Sequence, residues 1–149
     1  MNSKQLKLKL ITTERLVLEE MVDQVSIPTT LGEITVLPDH IPLVTELTSG
    51  DMVAFQGKEL VPFAVVGGFL EIKNGEDGVT EVAILADFAE HVSELSDEKI
   101  KQAKMQAEEL KKQKENNKIV DFEHFEAELE RSLTRVKIAD KWRTKKYRR

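Results

Sequence analysis

The chain has 149 residues, a formal net charge of −5 and no cysteine, so it forms no disulfide and no thiolate metal site. Its length suits one domain plus an appendage. No apolar run reaches the ~18 residues of a membrane span, and Met1 to Lys9 alternates Lys with Leu where a signal peptide would carry an apolar core.

The charge is unevenly placed. Residues 1–92 hold 6 Lys/Arg against 15 Asp/Glu, whereas residues 93–149 hold 16 against 12. From Arg131 onward nine basic residues stand against Asp140 alone. That asymmetry predicts an acidic partner for the C-terminal end. A nucleic acid is not expected, because the basic residues lack interleaved aromatics beyond Trp142 and Tyr147 and the rest of the chain is acidic.

In chain order, the first 90 residues alternate with period two. Leu6, Leu8 and Leu10 alternate with Lys7 and Lys9, Leu16 and Leu18 with Val17, and Val25 and Ile27 with Ser26. Ile34, Val36 and Leu37 read as a short strand that Pro38 stops. Asp39 and His40 form a turn, and Pro42 fixes the exit before Leu43 and Val44 resume. His40 therefore sits on a stiff, projecting corner. Val82, Ile84 and Ala86 continue the alternation. Turns at Thr13-Glu14, Pro28-Thr29-Thr30, Ser49-Gly50-Asp51, Gln56-Gly57-Lys58 and Asn74 to Gly78 separate these runs, which predicts an antiparallel sandwich or barrel.

All four prolines and all seven glycines lie at or before Gly78. From Ser96 the period becomes helical. Ser96 is a candidate cap with Asp97 and Glu98 in the first turn, and Ile100, Ala103, Ala107 and Leu110 form a narrow stripe. Glu115 to Lys118 breaks the pattern. Asp121 is a second candidate cap, and Phe122, Phe125, Leu129, Leu133, Val136 and Ala139 form a second stripe. The short linker predicts an antiparallel helix pair. The expected class is α+β: an N-terminal antiparallel β-sandwich over 1–92, then a C-terminal antiparallel two-helix hairpin over 93–149. The stripes are thin, and the first is alanine-rich. At roughly 25 cal/mol per Å² of apolar area, the hairpin is held weakly enough to exchange its packing for another protein.

Catalytic chemistry is missing. There is no Gly-x-x-x-x-Gly-Lys-Ser/Thr loop for phosphate. Gly67-Gly68 precedes a strand rather than a helix, so it marks a close backbone approach inside a sheet, not a dinucleotide site. His40, His91 and His124 fall in a loop, a domain junction and a helix, without metal-ligand spacing. No enzyme, no metal and no cofactor are expected.

The segment Gly32 to Thr45 resembles the epsilon subunit of the F-type ATP synthase, a central-stalk subunit called delta in mitochondrial naming. The family pattern Gly-x-x-x-x-x-Pro-x-His-x-Pro-Leu-[Leu/Val]-Thr is met at Gly32, Pro38, His40, Pro42, Leu43, Val44 and Thr45. Val66 to Glu71 looks like the family's Ser/Gly-Gly-Gly-x-x-Glu block, which begins a strand there, and Val82 to Asp87 looks like its Val-x-[Ile/Val]-Leu-Ala strand. The resemblance covers nearly the whole chain. It implies a flattened sandwich of two sheets and a non-catalytic subunit. That subunit would couple a gamma shaft to the membrane rotor ring of c subunits and regulate ATP hydrolysis through its helices. It would be peripheral, at the cytoplasmic face of a bacterial-type membrane.

The resemblance also implies residue roles. Glu33 and His40 match polar positions that touch the rotor ring, or they are ordinary polar loop residues. Phe69 and the exposed face of its strand are placed to meet gamma. The basic last helix would lie against the acidic catalytic alpha and beta subunits. Some relatives bind ATP between the two helices. Arg131 and Arg135 match the arginine pair of that site, four apart on one helical face, or they form a solvated basic face. The first half of the motif fails: Leu95, Ser96, Lys99 and Ile100 stand where Ile/Leu-Asp and Arg-Ala are required. Lys99 brings charge but not the planar fork of arginine. A rival reading is a stand-alone ATP-sensing module.

Overall fold

The structure, a computed structural model, describes residues 4–115 and 122–149, with side chains from 124 onward in the second stretch. The elements are β1 (Leu6–Ile11), β2 (Leu16–Val22), β3 (Gln24–Thr29), β4 (Gly32–Val36), β5 (Leu43–Glu46), β6 (Gly50–Gln56), β7 (Glu59–Asn74) and β8 (Thr80–His91). A 3-10 turn (Val92–Glu94) leads to α1 (Asp97–Glu115) and α2 (Phe122–Trp142). A sandwich followed by two helices is the class the sequence predicts.

The hydrogen-bonded order is β2-β1-β8-β7-β6-β3-β4, with β5 also on β7. All of these pairs are antiparallel except β1 with β8, which run parallel. The sheet folds over itself. Val22 from one end of the order and Val36 from the other share a single core with Leu6, Leu8, Leu10, Ile27, Met52, Leu70 and Ile84. The Gln56 side chain of β6 donates to the Met21 carbonyl of β2 at 3.2 Å, joining the two layers. Each fully buried leucine of β1 contributes about 1.5–3 kcal/mol relative to exposure.

Several local expectations shift. Leu16 is 51 % exposed, because a register shift between Leu10 and Ile11 takes it off the alternation. Pro28 lies inside β3 rather than in a turn. It pairs with Glu33 of β4, while β6 pairs with β3 only through Gln24–Ser26, so no ladder asks for the missing N–H. At the corner, β4 stops at Val36. The His40 amide donates to the Leu37 carbonyl at 3.1 Å, and Asp39 has φ 70. Pro38 and Asp39 are therefore the central turn residues, a type II arrangement, and His40 follows them.

Val66 to Glu71 lies in the middle of the 16-residue β7 rather than at its start. The two halves of that strand take different partners, β6 along Glu59–Val65 and β5 along Phe69–Ile72. The Gly67-Gly68 step between them is the close approach expected. A Cβ on Gly68 would sit 1.9 Å from the Leu85 carbonyl oxygen of β8.

In α1, the Ser96 hydroxyl accepts from the Lys99 amide at 3.3 Å, so Ser96 is the cap. Ile100, Ala103, Ala107 and Leu110 are its buried face, as expected. The helices run antiparallel: Lys114 meets Glu126 at 3.9 Å, Gln106 meets Glu128 at 3.4 Å and Ser132 at 3.3 Å. The α2 stripe is corrected. Leu133 is 43 % exposed and Leu129 and Val136 are half-buried, whereas Phe125, Ser132, Thr134, Ile138, Ala139 and Trp142 are buried. The helix lies between α1 and the sheet, so it has two buried faces where a single stripe was expected. Asp121 and the Phe122 side chain lie outside the described residues, as does the Met1 end.

Candidate functional site

Two regions carry polar and charged groups with no role in the sandwich core: the two-proline corner and the seam between the sandwich and α2. Glu33 is exposed near the β3–β4 turn, at the other end of β4, and His40 is half-buried at the corner. The His40 Nδ1 lies 2.6 Å from the Ile41 carbonyl oxygen. Thr80 holds the turn by accepting from the Asp39 amide at 2.7 Å. No hydrogen bond or ion pair joins Glu33 to His40. Leu31 is 89 % and Ile41 74 % exposed. Sequence reasoning missed Leu31. The available signal was a leucine beside a glycine in a tight hairpin turn, where burial is impossible.

The seam is built from the second face of α2. Ile138, Ala139 and Trp142 pack with Ala64 of β7, with Val92 and Leu95 of the junction, and with Ile100 of α1. This patch is small, and charge pairs surround it. The Glu90 side chain of β8 is 7 % exposed and meets Arg135 at 3.3 Å and Lys99 at 3.1 Å. A buried carboxylate would be costly alone, and two cations offset that cost. Arg135 also lies 4.6 Å above the Phe88 ring, with Arg131 at 5.7 Å. The Arg131 guanidinium donates to the Asp87 carbonyl at 3.4 Å.

Arg131 and Arg135 are thus brought together, with Lys99 sharing the Glu90 partner of Arg135. They line a cleft of about 170 Å³ with Thr12, Arg15 and Glu90. Arg131 makes its contact at the solvent-exposed rim, while Arg135 is turned toward Glu90. The Arg135 Nε is buried without a hydrogen-bond partner.

Farther along α2, Asp51 of β6 accepts from the Trp142 indole at 3.0 Å and pairs with Lys141 at 2.8 Å. Burial pulls Asp51 upward, but the Lys141 and Trp142 hydrogen bonds and the Lys141 charge outweigh it. The net result is a pKa below the usual 3.8. Ser49 donates to Glu130 nearby. Beyond the helix, Tyr147 stacks at a tilt on His91 at 5.9 Å and edge-on to Trp142 at 6.0 Å. The His91 Nδ1 accepts from the Ser93 amide at 3.0 Å and so caps the 3-10 turn, while its Nε2 is buried without a partner. Burial lowers the His91 pKa below 6.5, against the Arg148 backbone and the Glu94 charge, which raise it, and with a small further lowering from the Arg148 charge. Among the described residues no three His, Cys, Asp or Glu side chains gather as a metal set, and no helix is long and apolar enough to cross a membrane.

These shifts fix a pH dependence. An unfolded His91 takes up a proton near 6.5 while the folded one stays neutral, so stability falls as pH drops through the window below 6.5. Asp51 is depressed, so its contribution is full above 3.8 and is lost as pH falls below that value. Urea midpoints measured from pH 8 to pH 3 should decline in two stages, and His91→Asn should remove the first. A midpoint that rises on acidification through the His91 window would contradict this.

A family model described as the beta-sandwich domain of the ATP synthase delta/epsilon chain matches residues 5–92. The ATP synthase epsilon chain of Desulforamulus reducens is 35 % identical over 138 residues, covering 93 % of this chain and 99 % of that one. That of Dehalococcoides mccartyi is 38 % identical over 139 residues, covering 93 % and 95 %. A chain in the cryo-EM structure of the Euglena gracilis mitochondrial ATP synthase shares the fold, with a TM-score of 0.63, 23 % identity and coverage of 91 % and 81 %. With the sandwich model matched and epsilon chains aligned over nearly its whole length, this chain belongs to the epsilon family of the F-type ATP synthase, an accessory subunit of the rotary machine rather than a catalytic one.

Proposed function

We propose that the chain couples rotation and restrains hydrolysis through two separable units, the sandwich of residues 1–92 and the hairpin of residues 93–149. The sandwich ties a gamma shaft to the membrane rotor ring of c subunits. Glu33, on β4 beside its first turn, and His40, on the two-proline corner, face the ring. Phe69, 60 % exposed and paired with Leu85 at 58 %, offers an apolar sheet face to gamma. The hairpin is the brake. Released from the sandwich, its basic α2 lies against acidic alpha and beta subunits. The protein acts peripherally, at the cytoplasmic face of a bacterial-type membrane.

The observation that carries this reading is how α2 is held. Its apolar seam on the sandwich is small, and beside it stand ion pairs from Arg135 to Glu90 and from Lys141 to Asp51, which another acidic surface can replace. The test is co-purification of a tagged chain. A multi-subunit partner containing gamma is expected. A monomer with measurable nucleotide affinity would instead establish the stand-alone sensing module.

If the chain bound a nucleotide, Arg131 and Arg135 would hold it. The cleft they line, about 170 Å³, is below the roughly 300 Å³ at which small-molecule pockets begin, and Glu90 already occupies Arg135. Calorimetry of the isolated chain with ATP should show no micromolar binding, and the chain should hydrolyse none. Micromolar affinity abolished by Arg131→Ala would contradict this.

A further inference from the structure

We propose that Thr80 and Asn74 are positioning residues for the two-proline corner, and that through them the β7–β8 hairpin holds the turn that presents His40. The proposal rests on the reading of the corner as a contact with the rotor ring, and the experiments below separate the two.

The corner runs from the end of β4 at Val36 to the start of β5 at Leu43. Val36 is fully buried, but Leu37 is 51 % and Ile41 74 % exposed, so apolar burial does not fix the loop between the strands. The turn satisfies itself only in part. Pro38 has no N–H, and the His40 N–H returns to the Leu37 carbonyl. That leaves the Asp39 N–H without a partner inside the turn. Asp39 also has φ 70, in the left-handed region that Asp tolerates but does not prefer. Its acceptor comes from a distant strand: the Thr80 hydroxyl of β8, at 2.7 Å and 41 positions away. The Lys4–Asp39 ion pair at 2.9 Å is exposed on both sides and adds little.

Thr80 is 2 % exposed. A buried hydroxyl that accepts must also place its own hydrogen. The Asn74 Oδ1 of β7 takes it at 3.3 Å. Asn74 and Thr80 are the last pair of the β7–β8 ladder, so one hairpin supplies both the hydroxyl and the group that orients it. Asn74, Thr80 and Asp39 form a chain in which each group polarises the next. His40 follows directly. Its Nδ1–H donates to the Ile41 carbonyl at 2.6 Å, which leaves Nε2 for a partner. Phe69 and Leu85 pair five positions up the same ladder, about 17 Å away at 3.3–3.4 Å per residue. The hairpin therefore spans the apolar face offered to gamma and the anchor of the corner offered to the ring.

Thr80→Val keeps the shape and removes the hydroxyl, Thr80→Ser keeps the hydroxyl, and Asn74→Ala, at an exposed position, removes only its acceptor. Hydrogen exchange read by NMR should find the Asp39 amide protected in the unmutated isolated chain, although it lies in a loop. Thr80→Val should speed its exchange by about two- to tenfold, the equivalent of one hydrogen bond. Asn74→Ala should have a smaller effect, and Thr80→Ser should restore protection. Amides of β1 and β6 should keep theirs. An Asp39 amide that exchanges at the unstructured rate in the unmutated chain overturns the anchor, and this arm needs no variant to fold. Thr80→Ser exchanging as fast as Thr80→Val overturns it too. Each chain is then assembled into the ATP synthase, and ions translocated per ATP hydrolysed are measured in membrane vesicles, with His40→Ala beside them. A ratio lowered by Thr80→Val and by His40→Ala, and restored by Thr80→Ser, supports the proposal. A ratio lowered by His40→Ala alone overturns it and leaves the ring contact standing. A ratio lowered by neither, with the Asp39 amide responding as expected, supports the anchor and overturns the ring reading.

Discussion

Replacing Gly68 with alanine is expected to unfold the sandwich. The backbone there has φ 113, and a Cβ would fall 1.9 Å from the Leu85 carbonyl oxygen and 2.8 Å from the Ala86 Cα. These are backbone atoms of the paired strand, so no flexible tip can yield. Gly68 pairs with Ala86 between the half of β7 bound to β6 and the half bound to β5. Relief would require parting β7 from β8, the longest pairing in the molecule. The cost should be about 4 kcal/mol or more, against a total stability of roughly 5–15 kcal/mol for a domain. Gly57→Ala is the control. Its φ is 63 with no atom within 4 Å of the added Cβ, so only backbone strain of about 1–2 kcal/mol applies. Urea unfolding followed by circular dichroism measures both. A Gly68→Ala protein as stable as Gly57→Ala would refute the packing described for this step.

Trp142→Ala should undock the hairpin and spare the sandwich. Trp142 is 4 % exposed and is the largest side chain in the seam with Ala64, Val92, Leu95 and Ile100. Truncating a buried tryptophan costs about 3–5 kcal/mol, and here Asp51 also loses its indole donor. The apolar seam of α2 is small, so that loss is a large part of what holds the helix. Hydrogen exchange should show α2 amides losing protection while β7 and β8 keep theirs. Equal loss in both regions would mean that hairpin and sandwich unfold as one unit.

What was legible in the sequence follows from the range of the interaction. Leu6, Leu8 and Leu10, and the stripe of Ile100, Ala103, Ala107 and Leu110, each bury one face against one neighbour, and a periodic pattern records that directly. Helix α2 has two buried faces. A single stripe therefore misplaced Leu133, and it passed over Ser132 and Thr134, small polar residues buried where the helix packs closely. Pro28 looked like a turn, but its missing donor is harmful only where a second strand would pair, and the pairing of β3 with β6 has already ended at Ser26. The arginine pair was visible at four-residue spacing. Its partners were not. Glu90 lies 45 positions from Arg135, Asp51 lies 91 from Trp142, and Glu20 lies 128 from Arg148. No local pattern distinguishes these carboxylates from the other acids of the sandwich until the fold brings the C-terminus across both layers.

The central claim is that the basic hairpin restrains the motor by charge. It is tested by ATP hydrolysis in the assembled synthase with three chains: the unmutated one, one ending at Asp140, and one with Arg131, Arg135, Lys137 and Lys141 changed to alanine. Single exposed pairs contribute only about 0–1 kcal/mol, so the effect must come from the array, and salt must weaken it as the screening length falls to about 10 Å at 0.1 M. Both variants should hydrolyse ATP faster than the unmutated chain at low salt, with the gap closing as salt rises. Equal rates for all three at low salt would contradict the account.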